Sequence, residues 1–403
     1  MFADIELLPP DSILGVTAAF RRDTSPLKVD LGVGVYRDAD GNTPVPAAVR
    51  AAETAMLAEQ TTKTYVGPAG NLQFNAQIAH LALGPLAADF GERLATIQCV
   101  GGCGALRIGA ELIRVGNPAA VIHVSDPTWA NHEPLIGTIG LPLQRYPYYD
   151  PATREVAFDR MLAHIASLPG GSVVLLHACC HNPTGADLQP AHWSALAEVL
   201  ERRGLLPFVD FAYQGLGDDL DTDAAGLRIL AARLPEMLLA ISCSKNFGLY
   251  RERTGALVAL ASNAASATAL ASQQQRVARR MYSMPPDHGA AVAARVLGDP
   301  GLRTLWEQEL AAMTARMKSL RALLAGRLAA LRPDLDFSWL ERHRGMFSLL
   351  GLDAAATVRL RETRHVHTPP DGRMNVAGIS DANVDYVAES IVALLDQPGV
   401  RPG

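Results

Sequence analysis

The sequence predicts an α/β fold, with a mostly parallel sheet in a large domain and a smaller α+β domain after it. Three observations predict this. Short apolar runs of strand length alternate with helical stretches from about residue 45 to about residue 310. Five of those runs are apolar almost throughout, which suits strands covered on both faces. After about residue 300 the alternation stops, and a long helical stretch leads into short strand-like segments.

In chain order, residues 1–44 are rich in Pro, Asp and Gly and lack a core of their own. They are expected to pack as an arm on residues 313–403. The large domain is expected over 45–312. Its helices are expected at Ala47–Gln60, Gly104–Val115, Ala191–Gly204 and Asn263–Arg280, where Ala and Leu recur at helical spacing. Its strands are expected at Ala120–Val124, Ser172–Leu176, Leu206–Val209, Met237–Ile241 and Ala256–Leu260. The smaller domain opens with a helix from Gly301 to about Leu331. Strand-like segments Phe337–Leu340 and Met346–Leu350 follow, then a last helix at Asn383–Leu395.

Composition excludes several classes of function. The 403 residues are 49% hydrophobic and 19% charged, which is incompatible with intrinsic disorder. The net charge is −5, so no basic field exists to hold nucleic acid or an anionic membrane. No apolar run approaches the ~20 residues needed to span a bilayer. The first residues, Met1 to Glu6, carry no basic segment leading into a long apolar one. The five cysteines, with Cys179 and Cys180 adjacent, make a poor disulfide framework, and none is spaced with histidine as in a zinc finger. The expectation is a reduced, soluble, cytoplasmic protein without a metal.

Five segments carry residues suited to chemistry. Lysine is scarce, occurring only at positions 28, 63, 245 and 318 among 36 basic residues. Lys245 follows an apolar strand in Ile241-Ser242-Cys243-Ser244-Lys245-Asn246-Phe247-Gly248, with Arg253 eight residues on. Loops at strand ends of α/β sheets are where ligands sit, and a lysine there can form a Schiff base beside an anion site. The segment reads equally as a surface loop. In Val209-Asp210-Phe211-Ala212-Tyr213 a strand ends in a carboxylate with a phenol three residues on. That is either a helix cap with a core tyrosine, or a carboxylate holding a cationic ring nitrogen beside a phenol that meets a ring oxygen. Asn182-Pro183-Thr184-Gly185 is strong turn chemistry. Gly101-Gly102-Cys103-Gly104 opens a helix whose first amides suit phosphate, although it is neither a dinucleotide fingerprint nor a Walker loop. Asp126-Pro127-Thr128-Trp129 is a strand-end turn whose flat aromatic suits either core packing or stacking on a ring.

Together these segments resemble the fold-type I enzymes that use pyridoxal 5'-phosphate, and most closely the class I aspartate/aromatic aminotransferase family. The resemblance rests on Trp129, Asn182, Asp210, Tyr213, Ser242, Lys245, Arg253 and Arg373 in order and context. It runs from Asp11-Ser12-Ile13-Leu14-Gly15 to the last helix and includes Gly372-Arg373-Met374-Asn375-Val376-Ala377-Gly378. It implies a seven-stranded-type sheet, and exchange of an amino group between an L-amino acid and a 2-oxo acid such as 2-oxoglutarate.

By the same resemblance Lys245 carries the cofactor and, once freed, moves the substrate proton. Asp210 pairs with the pyridinium nitrogen, with His132 behind it. Tyr213 and Asn182 meet the ring oxygen, and Trp129 stacks on the ring. The phosphate sits on the Gly102 and Cys103 amides, Ser242, Ser244, Arg253 and, from a neighbouring subunit, Tyr65. Arg373 grips the substrate α-carboxylate, and Gly34 belongs to the segment closing over substrate. Arg279 receives a side-chain carboxylate. The implied assembly is a homodimer with shared active sites.

The chain departs from the family pattern at four places. Cys103 stands where Thr or Ser is usual, Met284 where Asn or Ser is common, Thr64 precedes Tyr65, and Arg37 follows Tyr36. Met284 makes the distal pocket more apolar and adaptable, which favours aromatic as well as acidic substrates. Lyase, decarboxylase or racemase chemistry on the same fold, and an aminotransferase for a secondary-metabolite amino acid, are the rival expectations.

Overall fold

Near-continuous apolar runs build a seven-stranded sheet in the computed structural model of the chain, which describes residues 2, 5–7 and 12–396. The strands are β1 (Leu94–Val100), β2 (Ile122–Asp126), β3 (Leu143–Pro147), β4 (Val173–His177), β5 (Leu206–Phe211), β6 (Met237–Ser242) and β7 (Thr254–Leu260). Their spatial order is β1-β7-β6-β5-β4-β2-β3. The central pairs β6–β5, β5–β4, β4–β2 and β2–β3 are parallel, while β7 is antiparallel to both β6 and β1. The sheet is therefore mixed but mostly parallel. β4 and β6 are buried along their whole length, as their unbroken apolar character requires.

All five expected strands exist, each shifted by no more than two residues at either end. Two strands escaped the sequence pattern. β1 carries Thr96 and Gln98, and β3 carries Gln144 and Arg145 at the sheet edge, so neither reads as an apolar run. Helix Gly101–Gly116 packs its apolar side on β1, β6 and β7. The shared core includes Ile97, Leu106, Ile108, Val124, Leu175, Phe208 and Leu257.

Contacts separate the chain into two units. One comprises Thr43–Asn182 and Ala186–Arg316; the other comprises Met1–Asn42, Pro183–Gly185 and Met317–Gly403. The last boundary, between Arg316 and Met317, falls inside the long helix Pro300–Leu331. Asp11, where the family resemblance begins, and residues 397–403 of the expected small domain lie outside the described residues.

In the second unit the N-terminal segment joins the core rather than merely resting on it. Val29–Asp30 pairs in parallel with Val366–His367, and Val29 and Leu31 are buried with Leu324, Leu340, Met374 and Ile391. The strand expected at Phe337–Leu340 is not one. Asp336 accepts the Ser338 amide at 2.8 Å, and this turn starts the short helix Trp339–Arg342. An Asx turn ahead of an apolar stretch directs it into a helix, which apolarity alone does not reveal. The segment Phe347–Leu349 is a strand, paired antiparallel with Arg373–Asn375.

Candidate active site

Six strands point the same way, so their carboxyl ends share one edge of the sheet, where open α/β sheets receive ligands. β1 ends at Val100 and passes directly into helix Gly101–Gly116. β7 runs the other way, and its first residue, Thr254, pairs with Val100. That reversal brings Arg253 to the same edge as Gly102, Cys103, Trp129, Asn182, Asp210, Ser242 and Lys245. The first unit thus gathers residues separated by up to about 150 positions in sequence.

Asp210, near the end of β5, is 8% exposed. Its Oδ2 accepts from His132 Nε2 at 3.0 Å. A chain of hydrogen bonds fixes that histidine. The Asn182 amide donates to His177 Nδ1 at 3.3 Å, so Nε2 carries the His177 proton and faces the Thr128 hydroxyl at 3.4 Å. Thr128 Oγ1 then lies 2.8 Å from His132 Nδ1, which accepts its proton. This leaves His132 Nε2–H to donate to Asp210. Burial, joined by the nearby His132, holds His177 down to about 3, so it stays neutral in this chain. Burial pushes the Asp210 carboxyl up, but the His132 hydrogen bond and the nearby Lys245 cation keep the group below its ordinary value. The result is a buried carboxylate that stays charged.

Lys245 Nζ lies 4.9 Å from the centre of the Tyr213 ring, and Tyr213 is itself buried. Beside the lysine, Ser242 Oγ donates to Ser244 Oγ at 3.1 Å, and Arg253 Nη1 lies 3.5 Å from Ser244 Oγ and 3.0 Å from the Tyr250 carbonyl. Gly101 has φ +65, and a Cβ there would meet Arg253 Nη2 at 2.8 Å. Only glycine lets the guanidinium approach the start of the helix this closely. Two hydroxyls, a guanidinium and helix-start amides thus surround a site suited to a dianion. Cys103 sits in the first turn, its Sγ accepting from Asn131 Nδ2 at 3.8 Å. Burial pushes its thiol up, so it adds no negative charge beside the dianion site. Trp129 is half-buried with its ring edge-on to His132 at 5.3 Å.

An anionic carboxylate, a lysine and a phosphate-type cradle on one edge fit the three reactive ends of pyridoxal 5'-phosphate: a ring nitrogen, an aldehyde and a phosphate. Reading the sequence missed the parts played by Thr128 and His177. The signal was available, because Thr128 lies four residues before His132 in the same strand-end turn.

The second unit holds the other expected substrate residues. Arg373 is 3% exposed, donates from Nη2 to the Gly32 carbonyl at 2.9 Å, and lies 4.2 Å above the Phe347 ring. Asn375 donates to the Val33 and Val35 carbonyls at 2.6 and 2.9 Å. The segment containing Gly34 is therefore tied to the strand that carries Arg373. A Cβ at Gly34 would meet Phe347 Cζ at 3.0 Å.

Tyr65 and Arg279 differ from all of these. Tyr65 is 84% exposed, and Arg279, exposed at the end of helix Ala264–Met281, donates to Ser283. Among the described residues, neither shows a hydrogen bond or ring contact to Lys245 or to the residues around it.

Residues 26–391 match the family described as Aminotransferase class I and II. The chain is 45% identical over 392 residues to the aromatic-amino-acid aminotransferase of Paracoccus denitrificans, covering 97% of this chain and 99% of that one. It is 42% identical over 396 residues to the aspartate aminotransferase of Haemophilus influenzae, covering 98% and 100%. Its fold is similar to the crystal structure of an aromatic-amino-acid aminotransferase from Burkholderia pseudomallei covalently bound to pyridoxal phosphate. That match has a TM-score of 0.95 and 44% identity over 98% of this chain and 100% of that one.

Proposed function

The chain belongs to the class I and II aminotransferases, and from that premise we propose that it moves an amino group between aspartate or an aromatic amino acid and a 2-oxo acid such as 2-oxoglutarate. Pyridoxal 5'-phosphate is its cofactor and, when bound, supplies an electron sink for the carbanion formed at the substrate Cα. The observation that carries this reading is Lys245 on the same strand-end edge as the Asp210–His132 pair.

Each step follows from the chemistry of the chain's own groups. Asp210, kept charged by His132, holds a proton on the ring nitrogen. Tyr213 and Asn182 hydrogen-bond the ring oxygen, and Trp129 covers a ring face. Ser242, Ser244, Arg253 and the amides of Gly102 and Cys103 bind the phosphate. With the cofactor bound, the Lys245 amine would take the proton from the substrate Cα and deliver it to the cofactor's C4′, the carbon on the other side of the amino nitrogen. Arg373, a planar fork suited to a carboxylate, takes the α-carboxylate and orients Cα–H. The segment with Gly34 closes over the substrate.

The partner's surface completes the site in this reading. A homodimer with shared sites is supported by the exposure of Tyr65, and of Leu57 and Leu72 on either side of it in sequence. Arg279 and Tyr65 then act across the interface. Mixing Lys245→Ala with Arg279→Ala chains should restore roughly a quarter of wild-type aspartate activity if sites are shared, and none if each chain builds its own. A cytoplasmic location is supported by five free thiols and by the lack, among the described residues, of a helix long and apolar enough to cross a membrane.

The test of the reaction is a half-reaction. Holoenzyme mixed with glutamate alone should release 2-oxoglutarate, up to one equivalent per site, as the bound cofactor changes colour. Release of carbon dioxide or continuous turnover without a 2-oxo acid would instead establish lyase chemistry.

A further inference from the structure

Along β2, Ile122 and Val124 face the core under helix Gly101–Gly116. The alternation of a strand turns His123 and Ser125 to the opposite face. Ser125 Oγ is bonded to His181 Nε2 at 2.9 Å. His123 is 2% exposed, yet neither of its ring nitrogens meets a protein partner among the described residues. Helix Phe158–Ser167 brings a second imidazole to this place. The His164 ring centre lies 6.1 Å from that of His123, with the planes at 65°, and His164 Nε2 is also buried without a protein partner. Leaving one such nitrogen unsatisfied in a core is costly, so three together demand an explanation.

We propose that His123 and His164 form a two-histidine site for a borderline divalent transition ion such as Zn(II), outside the pyridoxal phosphate site. An ion ~2.0–2.1 Å from one nitrogen of each ring leaves the ring centres roughly 5–6 Å apart, close to the separation seen here. Imidazole suits Zn, Cu and Ni and disfavours Ca and Mg. In the strand register Gln144 of edge strand β3 lies opposite His123 on one side and Val174 on the other, which puts a residue with a polar side chain next to His123 in the sheet. His164 itself is half-buried.

The other grouping of metal-ligating atoms among the described residues is Cys179, Cys180 and Asp223. It is less suited. Asp223 already accepts from the Gly215, Gly217 and Asp218 amides, and burial holds the Cys179 thiol far from ionisation.

Equilibrium dialysis of untagged holoenzyme against Zn(II), with free cofactor removed, tests the proposal. Wild type should hold one equivalent per chain. His164→Gln, at a half-exposed helix position that tolerates change, should weaken that binding by at least about tenfold. Transamination by the variant should be unaltered. Cu(II) in the same site should give a spin-resonance spectrum split by two nitrogens, reduced to one in His123→Gln or His164→Gln. Wild type that holds no Zn(II), or His164→Gln that binds it with unchanged stoichiometry and affinity, would overturn the site.

Discussion

Asp210 and Arg279 are both charged groups given a binding role, and their surroundings are opposite. Asp210 is buried at the end of a central strand, behind it a histidine whose tautomer is set by Thr128, His177 and the Asn182 amide. Arg279 is exposed at a helix end and donates to Ser283 on the next turn. Arg373 is buried like Asp210, and its contacts include the Gly32 carbonyl and the face of the Phe347 ring. The difference follows what each group must meet. A cofactor nitrogen is the same in every turnover, so a fixed, desolvated anion serves it best. An α-carboxylate is common to all substrates, so a fixed cation suits it. A substrate side chain varies, and a cation brought in from the other subunit, as proposed above, would meet an acidic one and leave an aromatic one alone.

The largest effect is expected where the geometry is most fixed. Asp210→Asn should keep the fold, because the amide oxygen still accepts from His132, but lower kcat by roughly 10²–10³-fold. Steady-state assays beside thermal melts check this, and near-normal turnover would remove Asp210 from the chemistry. Arg373→Ala should cost aspartate and phenylalanine alike, about 2 kcal/mol or more in kcat/KM, near 30-fold. Arg279→Ala should cost aspartate by a similar factor while changing phenylalanine little, since an aromatic ring needs no cation. Equal losses for both substrates at Arg279, or unequal ones at Arg373, would erase the distinction between the two arginines. The smallest effect is expected at Thr128→Val, which keeps the shape and removes the hydroxyl that joins His177 to His132. It should lower kcat by less than about tenfold, as loss of a neutral hydrogen bond does. A loss as deep as that of Asp210→Asn would show that the histidine's tautomer, rather than the carboxylate, dominates.

Much of this was legible in the sequence because the chemistry sits where the pattern is simplest. β4 and β6 are apolar runs that end in His177 and Ser242, and β5 is one that carries Asp210 just before its last residue, Phe211, so the strand ends could be found and the residues around them singled out. β1 was not legible. Its Gln98 is fully buried, its amide donating to the Pro286 carbonyl at 2.7 Å and its Oε1 accepting from the Asn71 amide at 2.8 Å. A polar side chain satisfied by distant loops looks, in sequence, like a surface residue. Phe337–Leu340 failed for the converse reason, since the Asp336 side chain, not apolarity, decides its conformation. The relay behind Asp210 required three segments to meet, and no single segment announces it. Arg279 and Tyr65 drew their roles from family resemblance alone, as no hydrogen bond or ring contact among the described residues ties them to the pocket.

The measurement that bears most directly on the account is covalent trapping at the lysine. Borohydride reduction of the holoenzyme, followed by peptide mapping, fixes the cofactor wherever it was attached. The account predicts a single modified peptide, labelled at Lys245, and loss of both the label and transamination in Lys245→Ala. Labelling at Lys28, Lys63 or Lys318, or a Lys245→Ala enzyme that still turns over, would contradict it.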